Sequence, residues 1–195
     1  MENSNRLQKA YQLIDQANAE DPNSELVDGK EVAKELIYGH RMTETLAHFE
    51  PNASEALKLA VRAQHICRWQ IPRESYPMDK KGYLKWRANL KKFHADKASS
   101  ILAQVGYQME TIERVSFLLQ KKQLKKDDGT QTLEDVACLV FLTYYFEEFI
   151  AKHEDAKVTD IIRKTWNKMS DKGHKAALKI NFSSKEKELV QAALP

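Results

Sequence analysis

The chain has 195 residues, 42% hydrophobic and 30% charged, with 31 Lys and Arg against 28 Asp and Glu for a net charge of +3. That balance excludes a disordered tail and a disulfide miniprotein, and the charge is too small to single out nucleic acid or a membrane as partner. The longest uncharged apolar run, Val136 to Phe146, is too short to cross a bilayer, and the N-terminus has no apolar stretch of signal-peptide length behind a basic start, so a cytoplasmic protein is expected.

Only 6 Gly and 5 Pro interrupt the chain. Apolar residues recur three and four apart almost throughout, so the predicted class is all-α, a single compact helical domain over 1–195. The first helix is predicted over 5–19. The second, over 30–48, carries His40 on a stripe with Val32, Leu36, Thr43 and Ala47, so its ring is expected to face the core. The third, over 54–71, opens at the cap signal Asn52 to Ser54. It starts apolar and ends polar: Leu57, Val61, Gln64, His65 and Arg68 share one arc, and burying the last three demands partners or a ligand. The following break, over 72–82, holds two prolines with Arg73, Glu74 and Tyr76 and suits a site wall.

The helix predicted over 81–105 groups Arg87, Leu90, His94, Lys97 and Ile101 on one side, with Tyr83 and Trp86 interleaved among its basic residues. A helix over 109–122 and the turn signal KKDDGTQ follow. The helix over 132–152 is apolar nearly all round, as a central helix should be, and Asp135 heads its stripe of Leu139, Leu142 and Phe146. Val158, Ile161, Ile162, Thr165, Trp166 and Met169 make the helix over 157–169 amphipathic, and short helices over 172–178 and 184–193 close the chain. Cys67 and Cys138 stand isolated in apolar helical patterns and are expected to be reduced packing residues.

Four predicted helices thus each aim one possible metal ligand inward: His40, His65, His94 and Asp135. Singly, each has an ordinary explanation as a satisfied histidine or an acid complementing a helix N-terminus. Together, three imidazoles and a carboxylate suit one divalent ion such as Mn, Fe, Zn, Co or Ni, because such ligands in bundles come from facing helices. His48, His153 and His174 fall near helix ends and are expected at the surface. Arg68, Arg87 and Lys97 share the inward arcs and suit a phosphate, arginine through its two-pronged fork. Arg41, Arg73 and then Lys121 rank behind them.

The order His40, His65 closing LKLAVRAQHI, His94 in FHADKASSIL, and Asp135 resembles that of the HD-domain metal-dependent phosphohydrolases. HRMTETLA is similar to their first-histidine helix and LEDVACLVFL to their last. This resemblance implies an HD-like helical core over about 30–152, with C-terminal helices over 157–193 added, and one metal ion held by those four residues. Those enzymes carry aspartate directly after the second histidine; this chain has Ile66 there. Nearly the whole chain also resembles a family of small proteins described only as a domain of unknown function, through YGHRMTETL, RAQHICRWQIPRESYPMDKKGYLKWR, FHADKA, QTLEDVACLVFLTYYFEEF and IIRKTWNKMS. That second resemblance implies no activity.

Two functions are expected as alternatives. In the first, a metal-bound water attacks the phosphoester of a nucleotide or other small phosphorylated substrate. In the second, the chain is a non-catalytic helical module whose Arg68, Arg73, Tyr76, Tyr83, Trp86 and Arg87 form a basic, aromatic cleft for a phosphorylated ligand or a nucleic-acid end. A polar network that fixes helix register without any ligand would account for the same residues. The sequence indicates no membrane attachment and no particular oligomeric state.

Overall fold

The computed structural model describes residues 2–194 and divides the chain into two units, Met1–Lys122 and Gln123–Pro195. The all-α class holds: among the described residues the one departure from helices and turns is a two-stranded hairpin. No helix among them is long and apolar enough to cross a membrane.

The first unit opens with α1 (Glu2–Ala19), whose Ala10 and Ile14 are fully buried. Antiparallel strands β1 (Ser24–Val27) and β2 (Lys30–Ala33) follow, paired from Ser24 with Ala33 to Val27 with Lys30. Residues 30–33, expected as the start of a helix, are strand because Asp28 and Gly29 between the strands both take positive φ, 49° and 77°, the pairing a tight hairpin turn requires. Helix α2 (Lys34–Phe49) therefore begins four residues later than its apolar periodicity suggests.

Ser54 caps α3 (Glu55–Arg62) by accepting from the Leu57 N–H. The helix expected over 54–71 stops at Arg62. Beyond it the backbone runs through consecutive tight turns, with Ile66 N–H donating to Ala63 C=O and Arg68 N–H to His65 C=O, both at 3.0 Å. Cys67 sits at φ 52°, a left-handed conformation that a helix interior cannot contain, and Asn18 Oδ1 of α1 accepts its N–H at 2.9 Å. Short 3₁₀ turns at Arg68–Gln70 and Arg73–Ser75 lead to α4 (Lys80–Val105). Asp79 caps α4 through the Gly82 N–H at 2.6 Å, and a side chain at Gly82 would place its Cβ 2.0 Å from the Pro77 carbonyl oxygen, so this close approach admits only glycine. Gly106, at φ 86°, ends α4, and α5 (Met109–Leu119) packs back on α3 and α4, while α1 packs on α2, α3 and α4. Leu59, Val61, Ile66, Val115 and Leu118 form fully buried parts of this core.

The second unit runs through α6 (Asp128–Val140), a π turn at Phe141–Tyr145, α7 (Phe146–Ala151), α8 (Asp155–Trp166), α9 (Asp171–Ala177) and α10 (Ser184–Ala193). Asp127 and Ser170 cap α6 and α9, and Ser183 with Glu186 forms a reciprocal capping box on α10. Helix α6 packs on α9, and α8 on α10 and α7. The amphipathic stripe of α8 is buried at Val158 and Ile162, as its spacing predicts.

Candidate functional site

The first unit gathers a cluster of titratable side chains from α2, the turns after α3, and α4. Its acid is Glu35. The Asp21 carboxylate accepts from the Glu35 N–H at 3.1 Å, satisfying one of the free donors at the start of α2 and fixing where that helix begins. Glu35 then heads the buried stripe Glu35, Gly39, Met42 and Leu46. Its carboxylate meets His65 across the helix boundary, Oε2 to Nδ1 at 3.2 Å.

His65 reaches that position because α3 has already ended, so its direction is set by a turn. Tyr38 stacks on its ring at 4.0 Å between centroids and 9° between planes. Arg68 Nη1 donates to His65 Nε2 at 3.0 Å, and its guanidinium lies over the Trp86 ring at 5.0 Å. The His94 ring from α4 is 5.9 Å from that of His65 and is 5% exposed.

The same Arg68 Nη1 is 3.5 Å from His65 Nδ1, so the guanidinium lies across the face of the ring while Glu35 meets its Nδ1 edge. His94 makes a hydrogen bond with the Gln64 backbone of a kind that favours its charged form, so the ring is the donor. Nε2 of the buried His94 ring has no hydrogen-bond partner. Gln64, whose backbone holds that ring, likewise keeps a buried Oε1 without a partner.

Burial comes first in setting the charges. It pushes the Glu35 carboxyl up to about 7, against the opposing pull of Arg68 and Lys34. It pushes His65 well below the usual imidazole range, helped by the positive charges of Arg68, Lys121 and Arg87. His94 is lowered in the same way, by burial and then by His65, Arg68 and Lys121, with the Gln64 hydrogen bond opposing. Both imidazoles are therefore neutral in a cationic surrounding.

The wall expected after Pro72 is built by Arg73. Its guanidinium donates to the carbonyls of Tyr76 and Pro77 at 3.0 and 2.7 Å and lies 5.9 Å from the Trp86 ring, while the Trp86 N–H donates to the Ile71 carbonyl at 2.9 Å. Tyr76 accepts from Asn89 at 2.8 Å through its hydroxyl. Arg87 donates to the Tyr83 hydroxyl at 3.2 Å, and the Lys97 ammonium lies over the Phe93 ring at 5.6 Å. Among the described residues, neither Arg68 nor Arg87 has a carboxylate within ion-pair distance.

Of the four expected metal ligands, His65 and His94 stand together. His40 does not share their surroundings: the buried stripe of α2 runs one residue away from the stripe chosen from the sequence, leaving the His40 side chain 48% exposed and 3.5 Å from Asp15. Its position is about 140° round the helix from Glu35. There it lines an open cavity of about 460 Å³ with Tyr11, Asp15 and Arg62, and Asp15 is held by both prongs of Arg62 at 2.7 and 2.6 Å. Asp135 belongs to the second unit, where Ser170 donates to it through N–H at 2.8 Å and through its hydroxyl at 2.5 Å, and Gln131 donates at 3.0 Å. Gly173 packs so closely that a Cβ there would lie 2.7 Å from its Oδ1.

Among the described residues no three His, Cys, Asp or Glu side chains gather as a metal site. The charge around His65 and His94 points the other way as well, since Arg68, Arg87 and Lys121 disfavour a divalent cation and favour an anion. The residues present do not fit the implied metal. Glu35 and Tyr38, which complete the cluster, were missed in the sequence; the signal for Glu35 was its spacing of four, seven and eleven from Gly39, Met42 and Leu46.

Fold and site define a small all-α protein with a buried acid–imidazole pair beside two arginines that make no ion pair among the described residues. Residues 8–190 match the model of the family described as Domain of unknown function (DUF4202), and the chain belongs to that family. No curated protein and no solved structure matches the chain, so the likeness to HD-domain phosphohydrolases stands on the order of residues in the sequence alone.

Proposed function

We propose that the first unit binds a small phosphorylated molecule, with Arg68, Arg87 and Lys121 holding the phosphate and Glu35, His65 and His94 forming the floor beneath it. The observation that carries this reading is the charge imbalance at half-buried depth: Arg68 and Arg87 form no ion pair, both act on the neutral His65 ring and Arg68 also on His94, and the acid beside them, Glu35, is shifted toward its uncharged form despite the pull of Arg68. A phosphate would supply the missing negative charge through charge-assisted hydrogen bonds, and the arginine fork matches two of its oxygens. Trp86 and Tyr83, already under guanidiniums, support the arginines in place and offer a flat wall to the rest of the ligand. This is the non-catalytic alternative of the sequence, now with Glu35 and Tyr38 added. The setting we propose is the cytoplasm, supported by two buried cysteines, Cys67 and Cys138, that are not joined in a disulfide.

The test is calorimetric titration with inorganic pyrophosphate, a sugar phosphate and a nucleoside diphosphate. Saturable binding that is lost in Arg68→Ala/Arg87→Ala, with helical content unchanged, supports the reading. Equal binding by that double variant, or no binding of any probe by the unaltered protein, overturns it.

A further inference from the structure

Where α1 packs on α2 and α3, a second group of polar side chains gathers apart from the cluster around His65. On α1, Tyr11 and Asp15 are one helical row, and Gln8, Gln12 and Gln16 form the neighbouring row, with about 6 Å along the axis between residues four apart. His40 of α2 and Arg62 of α3 complete the open cavity of about 460 Å³ that these residues line, and Leu36 and Ala19 are its apolar part. A volume of that size lies in the range of small-molecule sites.

The charge of this cavity is balanced within its own wall. Arg62 donates to both oxygens of Asp15, Nε to Oδ1 at 2.7 Å and Nη2 to Oδ2 at 2.6 Å, and its Nη1 donates to the Thr43 hydroxyl at 3.2 Å. That hydroxyl donates in turn to the Gly39 carbonyl at 2.8 Å. The arginine side chain is only 10% exposed and so is fixed in place, whereas that of Asp15 is 28% exposed. A carboxylate oxygen accepts more than one hydrogen bond, so Asp15 keeps acceptor capacity beyond the arginine fork. A cation meets a carboxylate already neutralised by Arg62, and an anion meets a guanidinium already covered by Asp15. The cavity therefore favours an uncharged ligand.

The remaining wall consists of groups that both donate and accept. The three glutamines are exposed and extend over about 12 Å of α1. Burial pushes the Tyr11 hydroxyl up to about 12, so it keeps its proton, and the half-exposed His40 ring brings Nε2 to 3.5 Å from Asp15 Oδ2. Sugar hydroxyls match such a wall, because each of them donates and accepts, and neighbouring hydroxyls span the two polar atoms of an amide or a carboxylate. A flat aromatic ligand needs a ring face to stack on, and the Tyr11 ring already carries the Arg62 guanidinium at 5.2 Å.

We propose that this cavity binds an uncharged carbohydrate of one or two rings, with Asp15 and Gln12 meeting its hydroxyls, Gln8 and Gln16 extending the contact along α1, and Leu36 against its C–H face. Arg62 is a positioning residue, which holds the carboxylate and removes the net charge that would draw a metal ion or an amine. The site is separate from the proposed phosphate site, since His40 is about 140° round α2 from Glu35.

The experiment follows backbone amide ¹⁵N–¹H shifts of the full chain during titration with glucose, maltose, cellobiose and N-acetylglucosamine, with uracil and tetramethylammonium as flat and cationic controls. Expected is saturable movement within residues 8–19 and 36–40 for at least one of the four sugars, and none for the controls. Gln12→Ala/Gln16→Ala exchanges two exposed amides for the best helix former, which keeps α1 intact, and should weaken that binding about tenfold, the scale of two neutral hydrogen bonds. Saturating pyrophosphate should leave the sugar affinity unchanged. No movement with any of the four sugars, movement mapping to other residues, equal affinity in the double variant, tighter binding of either control at the same residues, or displacement by pyrophosphate overturns the proposal. The sugar titration does not require pyrophosphate to bind at the His65 cluster, so the two readings can fail separately.

Discussion

Glu35→Gln isolates the effect of burying a carboxyl in this cluster. Burial raises the acid to about 7 from an ordinary value of 4.5, and the side chain is only 11% exposed, so solvent screens little of the effect. The folded chain holds the Glu35 proton more tightly than the unfolded chain. Its contribution is therefore most favourable at low pH and is lost as pH rises from 4.5 through 7. Between pH 5 and 8 the loss amounts to about 2.5 kcal/mol. His65 and His94 act oppositely: their lowered values make folding less favourable as pH falls below 6.5, but both remain in the variant and largely cancel in the difference. Glutamine keeps the shape of the carboxyl and carries no charge at any pH. Urea unfolding followed by tryptophan fluorescence in a Trp166→Phe background reads Trp69 and Trp86 of the first unit. Relative to the parent, Glu35→Gln should gain about 2.5 kcal/mol between pH 5 and pH 8. A difference that stays flat across that range, or that grows toward acid, would refute the account of Glu35 as a buried, proton-holding acid.

Lys121→Ala should weaken pyrophosphate binding about tenfold in calorimetry, the scale of one charge-assisted contact, and the loss should shrink at high salt. Ile66 is fully buried, so Ile66→Asp, which restores the aspartate of the HD pattern, should cost about 3–5 kcal/mol in urea unfolding and bring no Mn²⁺ affinity. Asp135→Ala strips three donors of their acceptor and should destabilise the second unit by about 2–4 kcal/mol, seen as faster amide exchange in α6 and α9, with pyrophosphate affinity unchanged.

Much of the helical architecture was legible because caps and apolar spacing agree: Ser54 and Ser183 sit where helices start, and α4 and α8 fall almost where expected, whereas α6 starts four residues before 132 because Asp127 caps it within the stretch read as a turn. The site was legible in part. His65, Arg68, Trp86, Arg87 and His94 were found because polar residues on an otherwise apolar arc need partners. What failed was direction. The polar end of the predicted third helix was assigned by helical arc, yet Cys67 in the left-handed region breaks that arc, and its cause is Asn18, 49 residues earlier in the chain. On α2 the choice of stripe turned on one residue: Leu36 and Ala47 drew the expected face toward His40, whereas Gly39, Met42 and Leu46 line the buried one and bring Glu35 with them. Asp135 was inward as expected, but its partners are a serine and a glutamine of its own unit, and hydroxyl and amide donors carry little pattern in a sequence.

The most direct test of the central claim, that the Glu35, His65 and His94 cluster receives a phosphate, is the imidazole ¹⁵N–¹H spectrum of the uniformly labelled chain during titration with pyrophosphate. The chain has 6 histidines. Expected in the free protein are neutral His65 and His94 rings, whose ring-nitrogen resonances move saturably as pyrophosphate is added while those of His48, His153 and His174 stay in place. Movement confined to those three, or charged His65 and His94 rings in the free protein at neutral pH, would contradict it.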